Sequence, residues 1–315
     1  MKIARRSLML VLFAKAWAQD QASLDQPTFS AGVNVVSILA TVRDKDGRFV
    51  KDFNTDDFVL LEDGVPQKIR YFSRESGLPL TIGLLVDTSR SQTGVLEPER
   101  RASRTFLERM LRPEQDRAFV AHFDERVEIL QNLTSSRTEL ADALQRLAIP
   151  GQYATLIYSA VRESAERVMK KQTGRKAFIL LTDGVAFHDN TSIGTAIEFA
   201  QRADTILYSI RFSDSIKVYR PLKAAVMGVA KQHGKEALAR MAKETGGATF
   251  EVSKRQSIED IYAQIEDALR NQYSIGYTPA PHKLGAEASG GYHKIKLSAK
   301  DPKLVVTARE GYYAR

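Results

Sequence analysis

The 315-residue chain contains no cysteine. That excludes a disulfide framework, a thiolate metal site and a lipidated N-terminal cysteine. No basic run with interleaved aromatics occurs, which argues against a nucleic-acid partner. A G-x-S-x-G elbow and a phosphate-cradling glycine loop are also missing. The histidines, His122, His188, His233, His282 and His293, show no ligand or catalytic spacing. The apolar run Ser7 to Ala14 falls far short of the about 20 residues that span a bilayer as a helix.

That short run has a different meaning. Lys2, Arg5 and Arg6 precede it, and the small-x-small stretch Ala16 to Ala18 follows. Basic, apolar and cleavable segments in this order read as a secretory signal peptide over residues 1–18. Its removal takes Lys2, Arg5, Arg6 and Lys15 with it, so the formal charge drops from +8 to +4. Half of the basicity is then targeting, and no transmembrane span is expected after cleavage. The full chain is 43% hydrophobic and 27% charged, enough apolar material for a sizeable core and too little polar bias for disorder.

Residues 19–32 are small and polar, a linker. Residues 33–76 turn β-like: "VNVVSILATVRD", then Asp46-Gly47, then "DFVLLEDG", then "QKIRYFS". Asp-Gly pairs between apolar runs are hairpin signals. The stretch "DFNTDDFVLLED" sets Asp52, Asn54, Asp56 and Asp63 at calcium-loop spacing. The position that needs glycine is Asp57, however, and no helices flank it, so a turn entering a strand is expected.

From residue 77 to 271 the period changes. "LTIGLLV" is apolar throughout, as in a parallel strand buried on both faces. Helix and strand patterns then alternate. Helices are expected near 97–111, 135–147, 156–170, 192–203, 235–245 and 257–271, the last with Ile258, Ile261, Ile265, Ala268 and Leu269 on one face. Strands are expected at 117–122, 127–130, 176–182, 205–212 and 248–252. This predicts a doubly wound, mostly parallel α/β sheet. The stretch 213–234, with Lys217, Arg220, Lys223 and Lys231, is longer than most such connections and reads either as a basic partner-recognition surface on the rim or as a locally helical, solvated insertion. In residues 272–315 the β pattern returns. Terminal strands so few are hard to stabilise alone, and they are expected to pack with residues 33–76 as a sandwich-like unit.

Ligands of such sheets sit at the C-terminal strand ends. There "GLLVDTSRSQTG" places Asp87, Ser89 and Ser91, "ATLIYSA" places Thr155 before a helix, and "LTDG" places Asp183. Singly, such residues also cap turns and helices. Together, two carboxylates and three hydroxyls suit a hard cation such as Mg²⁺, Mn²⁺ or Ca²⁺.

"DTSRS", the lone threonine and "TDG" resemble the metal-ion-dependent adhesion site of von Willebrand factor A (VWA) domains. The flanks "VRDKDGRFVKDFNTDDFVLLEDGVPQKI" and "YSIGYTP…YHKIKL…REGYY" resemble the bacterial VWFA-related proteins abundant in Acidobacteria. The resemblance implies that Ser89 and Ser91 bind the metal directly, Thr155 joins in the ligated state, and Asp87 and Asp183 hold it mostly through waters. It further implies an exported, non-enzymatic binding module whose metal engages a carboxylate on a protein or surface partner. The alternative is a structural envelope component in which the metal only stabilises the site. Four positions depart from the family pattern: Arg90 lies between the serines, Tyr153-Ala154 replaces glycines, and Ser159 replaces an aspartate.

Overall fold

The computed structural model describes residues 35–74, 77–150, 154–212, 221–279 and 291–314. The proposed leader and the whole of the linker lie outside them. The chain opens with β1 (Val36–Arg43), β2 (Phe58–Glu62), β3 (Val65–Pro66) and β4 (Tyr71–Arg74). Asp63 and Gly64 both take positive φ, 48° and 83°, the geometry of a tight two-residue hairpin turn. They close β2 onto β3.

Asp46-Gly47 does not close a hairpin between β1 and β2. The Asp44 carboxylate accepts the backbone N–H groups of Asp46 and Arg48, both at 2.9 Å, and makes a local turn. A single bridge, Arg43 to Phe49, follows. Both edges of β1 are taken by strands from the other end of the chain, so β2 crosses to a second sheet.

The central domain comprises β5 (Leu80–Asp87), α1 (Leu96–Met110), β6 (Arg117–Phe123), β7 (Val127–Thr134), α2 (Arg137–Gln145), α3 (Ile157–Arg167), β8 (Arg175–Thr182), α4 (Ile193–Arg202), β9 (Ile206–Phe212), α5 (Pro221–Thr245), β10 (Thr249–Val252) and α6 (Ile258–Arg270). Its six strands run in the order β10-β9-β8-β5-β6-β7. All neighbours are parallel except β6 and β7, an antiparallel edge pair. Every residue of β5 and β8 is buried, which explains the apolar runs Ile82–Val86 and Ala177–Leu181 at their centres. The pleat divides β5 between two cores: Ile82, Leu84 and Val86 face α1, α2 and α6, while Leu85 faces α3, α4 and α5. Each buried aliphatic side chain contributes about 1.5–3 kcal/mol, so this strand is firmly anchored from both faces.

One expectation fails here. Helix α5 begins at Pro221, not near residue 235. Residues 221–234 take the helical alternative for this stretch, and 213–220, with Lys217 and Arg220, lie outside the described residues.

The chain ends with β11 (Tyr273–Tyr277), β12 (Tyr292–Ala299), β13 (Val305–Ala308) and β14 (Gly311–Tyr313). They combine with the N-terminal strands into two antiparallel sheets, β13-β1-β11-β4 and β14-β12-β2-β3. The two sheets share a core of Val36, Ile38, Phe58, Leu60, Tyr273, Ile275 and Ile295. Phe53 packs edge-on against Phe58 at 4.9 Å, and Phe72 stacks on Tyr273 at 5.5 Å. Entry to and exit from the α/β domain are adjacent, because β4 pairs with β11 and Arg74 lies opposite Tyr273. Buried Arg175, the first residue of β8, donates to Leu269 O at 2.6 Å and Leu78 O at 2.9 Å, tying both crossings to the sheet.

Candidate metal centre

The chain leaves β5 toward one side of the sheet and reaches β8 on the other. These neighbouring strands therefore form the switch point, the crevice where open α/β sheets bind ligands. Asp87 ends β5 and Asp183 follows β8 directly, so both carboxylates stand at this crevice, 0% and 2% exposed.

Hydrogen bonds hold the site in place. Asp87 Oδ1 accepts the backbone N–H of Ser89 at 2.8 Å, and Oδ2 accepts the Thr182 hydroxyl at 2.6 Å. Asp183 Oδ1 accepts the N–H of Val185 at 3.0 Å. The Oγ atoms of Ser89 and Ser91 lie 3.0 Å apart. Strand-like alternation is not what brings them together. Ser89 is extended, and a 3-10 turn over Arg90–Gln92 folds Ser91 back beside it. Ser89 is buried, Ser91 half-buried, and Arg90 exposed at the mouth.

Thr155 is 7% exposed and sits on a third loop. It exchanges two backbone hydrogen bonds with Phe187, at 2.9 and 3.1 Å, so the threonine loop is laced to the loop after Asp183. Leu156 N–H donates to Asp124 O at 3.1 Å, and the Asp124 carboxylate accepts from Thr88 Oγ1 at 2.9 Å. The threonine loop is thus also joined, through Asp124, to the serine loop. Tyr153 lies outside the described residues.

Several participants carried no sequence signal. Gln92, fully buried, donates Nε2–H to Ser91 Oγ at 3.0 Å, while its Oε1 has no partner among the described residues. Glu99, on the first turn of α1, is 1% exposed. Asp189 answers the missing aspartate at position 159. Its carboxylate accepts from the N–H groups of Tyr158 and Ser159 at 2.7 and 3.1 Å and from the Ser159 hydroxyl at 2.7 Å. A carboxylate from the β8–α4 connection thereby caps the N-terminus of α3, just after Thr155. Phe187 is 51% exposed and meets the His188 ring edge-on at 4.1 Å.

The loop of Asp183 also touches α5 through bare backbone. A Cβ on Gly234 would lie 2.4 Å from Gly184 O, and Gly184 itself has φ of 87°. Only glycine suits the second position, and the first must be glycine for the helix to come so close.

The electrostatics are one-sided. Burial, then the neighbouring Asp183, pushes the Asp87 carboxyl up to about 7, against the hydrogen bonds from Thr182 and Ser89. Burial, then Asp87 and Asp183, drives Glu99 well above the usual carboxylate range. No basic side chain is among these influences. Such a group of buried acids costs stability unless a cation compensates it, so the residues present fit a divalent ion. No cluster of three or more His, Asp or Glu among the described residues could hold the ion by itself. A direct shell of hydroxyls with carboxylates behind it suits that geometry.

The chain matches the profile of the von Willebrand factor type A domain over residues 81–264, more than half its length. It belongs to that family. Among solved structures it is similar to proximal thread matrix protein 1 from the mussel byssus with a zinc-occupied MIDAS motif. That match has a TM-score of 0.51 and 14% identity, and covers 68% of this chain and 50% of the mussel one. A second structure of the same mussel protein gives 0.50, 15%, 66% and 51%. The vWF domain of the type V pili tip protein Mfa5 from Porphyromonas gingivalis gives 0.46, 13%, 61% and 95%. The chain thus spans about half the length of the mussel protein it matches. No curated protein matches it.

Proposed function

We propose that this protein is an exported VWA-type binding module. Asp87, Ser89, Ser91, Thr155 and Asp183 would hold a divalent ion that engages an acidic group on a protein or surface partner. The observation that carries this reading is the union at one switch point of paired hydroxyls 3.0 Å apart with buried, mutually repelling carboxylates. Neutral hydroxyls as direct ligands leave a divalent ion under-neutralised, so it retains affinity for an outside carboxylate; acids behind them orient the ligands. When bound, the ion supplies Lewis acidity toward that carboxylate. The protein's part is to hold three loops in register and to keep Asp87 and Asp183 dry.

Export rests on the leader-like residues 1–18. Among the described residues no helix is long and apolar enough to cross a membrane. A catalytic reading finds little support. Thr88 Oγ1 lies 2.9 Å from His122 Nδ1, but Thr88 is 0% exposed and donates to Asp124. The rival reading is that the ion only stabilises the rim within an envelope assembly, and the repulsion around Asp87 favours it to that extent.

Calorimetric titration with Mg²⁺, Mn²⁺, Ca²⁺ and Zn²⁺ tests the site; the mussel protein's zinc-occupied motif makes the last worth including. Uptake by wild type and loss in the Ser89→Ala, Ser91→Ala double variant is expected. Absence of uptake at millimolar levels refutes the site. Capture of a partner from envelope extracts, abolished by EDTA and by the double variant, separates the readings. Capture that survives both leaves only the structural role.

A further inference from the structure

Glu99 is the least explicable residue in the α/β domain. Its side chain is closed off from solvent, and neither carboxylate oxygen has a hydrogen-bond partner among the described residues. Burying an acid this way is strongly unfavourable. Its place on the first turn of α1 provides only the weak help of a helix dipole. Nearby Tyr262 does not satisfy it, because the Tyr262 hydroxyl is engaged with Ser103 Oγ at 2.7 Å. The groups that act on Glu99 most strongly, Asp87 and Asp183, are themselves acids. An apolar residue would pack against the surrounding Leu96, Ala102 and Phe106 core without this penalty. Two residues earlier, Glu97 is exposed and paired with Arg100, so acidity alone at this helix start does not require burial.

A cation at the crevice resolves the anomaly. A hydroxyl that gives its lone pair to a metal becomes a stronger donor, and its proton needs an acceptor, as do metal-bound waters. Gln92 Oε1 and both Glu99 oxygens are unused acceptors beside this machinery. We propose that Glu99 is a positioning residue of the metal site, an outer carboxylate that fixes the metal's water and hydroxyl ligands from beneath. This rests on the metal-binding reading above and extends it to a residue outside the five-residue motif. Because the acids do not converge on one point, Glu99 acts through water or through the serine loop, not by direct ligation.

The test compares the full chain with its Glu99→Gln and Glu99→Met variants. Calorimetry with Mg²⁺ and Mn²⁺ is paired with thermal unfolding in EDTA. Glu99→Gln should weaken metal affinity about 10- to 100-fold, while the metal-free melting temperature stays level or rises in both variants. A structural role would instead lower that temperature, and such a fall overturns the inference. If wild type takes up metal and Glu99→Gln matches its affinity, the inference fails while the site reading stands. If wild type takes up none, both fall together.

Discussion

Replacing Asp87 with asparagine should stabilise the metal-free protein while destroying metal uptake. Burial and Asp183 raise this carboxyl from 3.8 to about 7 in the folded state. A raised carboxylate holds its proton in the native chain after the unfolded chain has released it. Metal-free wild type therefore loses stability as pH climbs from about 4 to about 7, and the loss is complete above that. At about 1.36 kcal/mol per pH unit, the full penalty is about 4 kcal/mol. Asparagine avoids it but fits the Thr182 hydroxyl less well, at a cost of about 1 kcal/mol. The expected net gain is about 3 kcal/mol near pH 8.5, shrinking to nothing at about pH 4.5, where the small remaining penalty only offsets the asparagine cost. Urea denaturation in EDTA at both pH values measures it. Added Mg²⁺ should then raise wild type by mass action and leave the variant unmoved. Should the variant be no more stable than wild type near pH 8.5 in EDTA, the strained-acid account of this crevice is wrong.

Other outcomes follow from the packing. In Gly83→Ala, the new methyl would lie 2.6 Å from the Phe119 ring and 2.8 Å from Phe178; overpacking should cost about 1–3 kcal/mol in urea melts. Asp116 works against its own burial. The Arg112 side chain and the N–H groups of Arg112 and Leu80 outweigh it and hold its carboxyl below the ordinary value. Wild type should therefore draw stability from it above about pH 4 and lose that as pH falls further, and Asp116→Asn should erase this acid dependence and cost about 2–4 kcal/mol near neutrality. Phe187→Ala should leave stability within about 0.5 kcal/mol and Mg²⁺ affinity unchanged, yet weaken partner capture in the EDTA-controlled pull-down.

The parallel strands were legible because burial on both faces leaves no polar alternation, and Asp87 and Asp183 stand out where those runs stop. Glu99 was not legible. In sequence it matches Glu97 two residues before it, and only the tertiary fold separates an exposed acid paired with Arg100 from a sealed one. Asp189 was hidden for a related reason: it caps α3 from 30 residues downstream of Ser159, with no local cue. The start of α5 at Pro221 was not legible either, and Gly234 inside it serves contact with Gly184. Asp46-Gly47 does turn the chain, but its neighbours pair elsewhere, since hairpin chemistry fixes a bend and not the partner of the strand that follows.

The pairing of β4 with β11 also bears on how the molecule would sustain load. Tension applied to a ligand at the rim would leave the α/β domain by two crossings side by side, both pinned by the Arg175 guanidinium. The pull would be shared between two strands of one sheet, β11 braced on its far side by β1, instead of stretching a single flexible tether. A grip at the crevice would therefore be transmitted to the pedestal as shear across hydrogen-bonded strands, the direction in which a ladder yields all its rungs together.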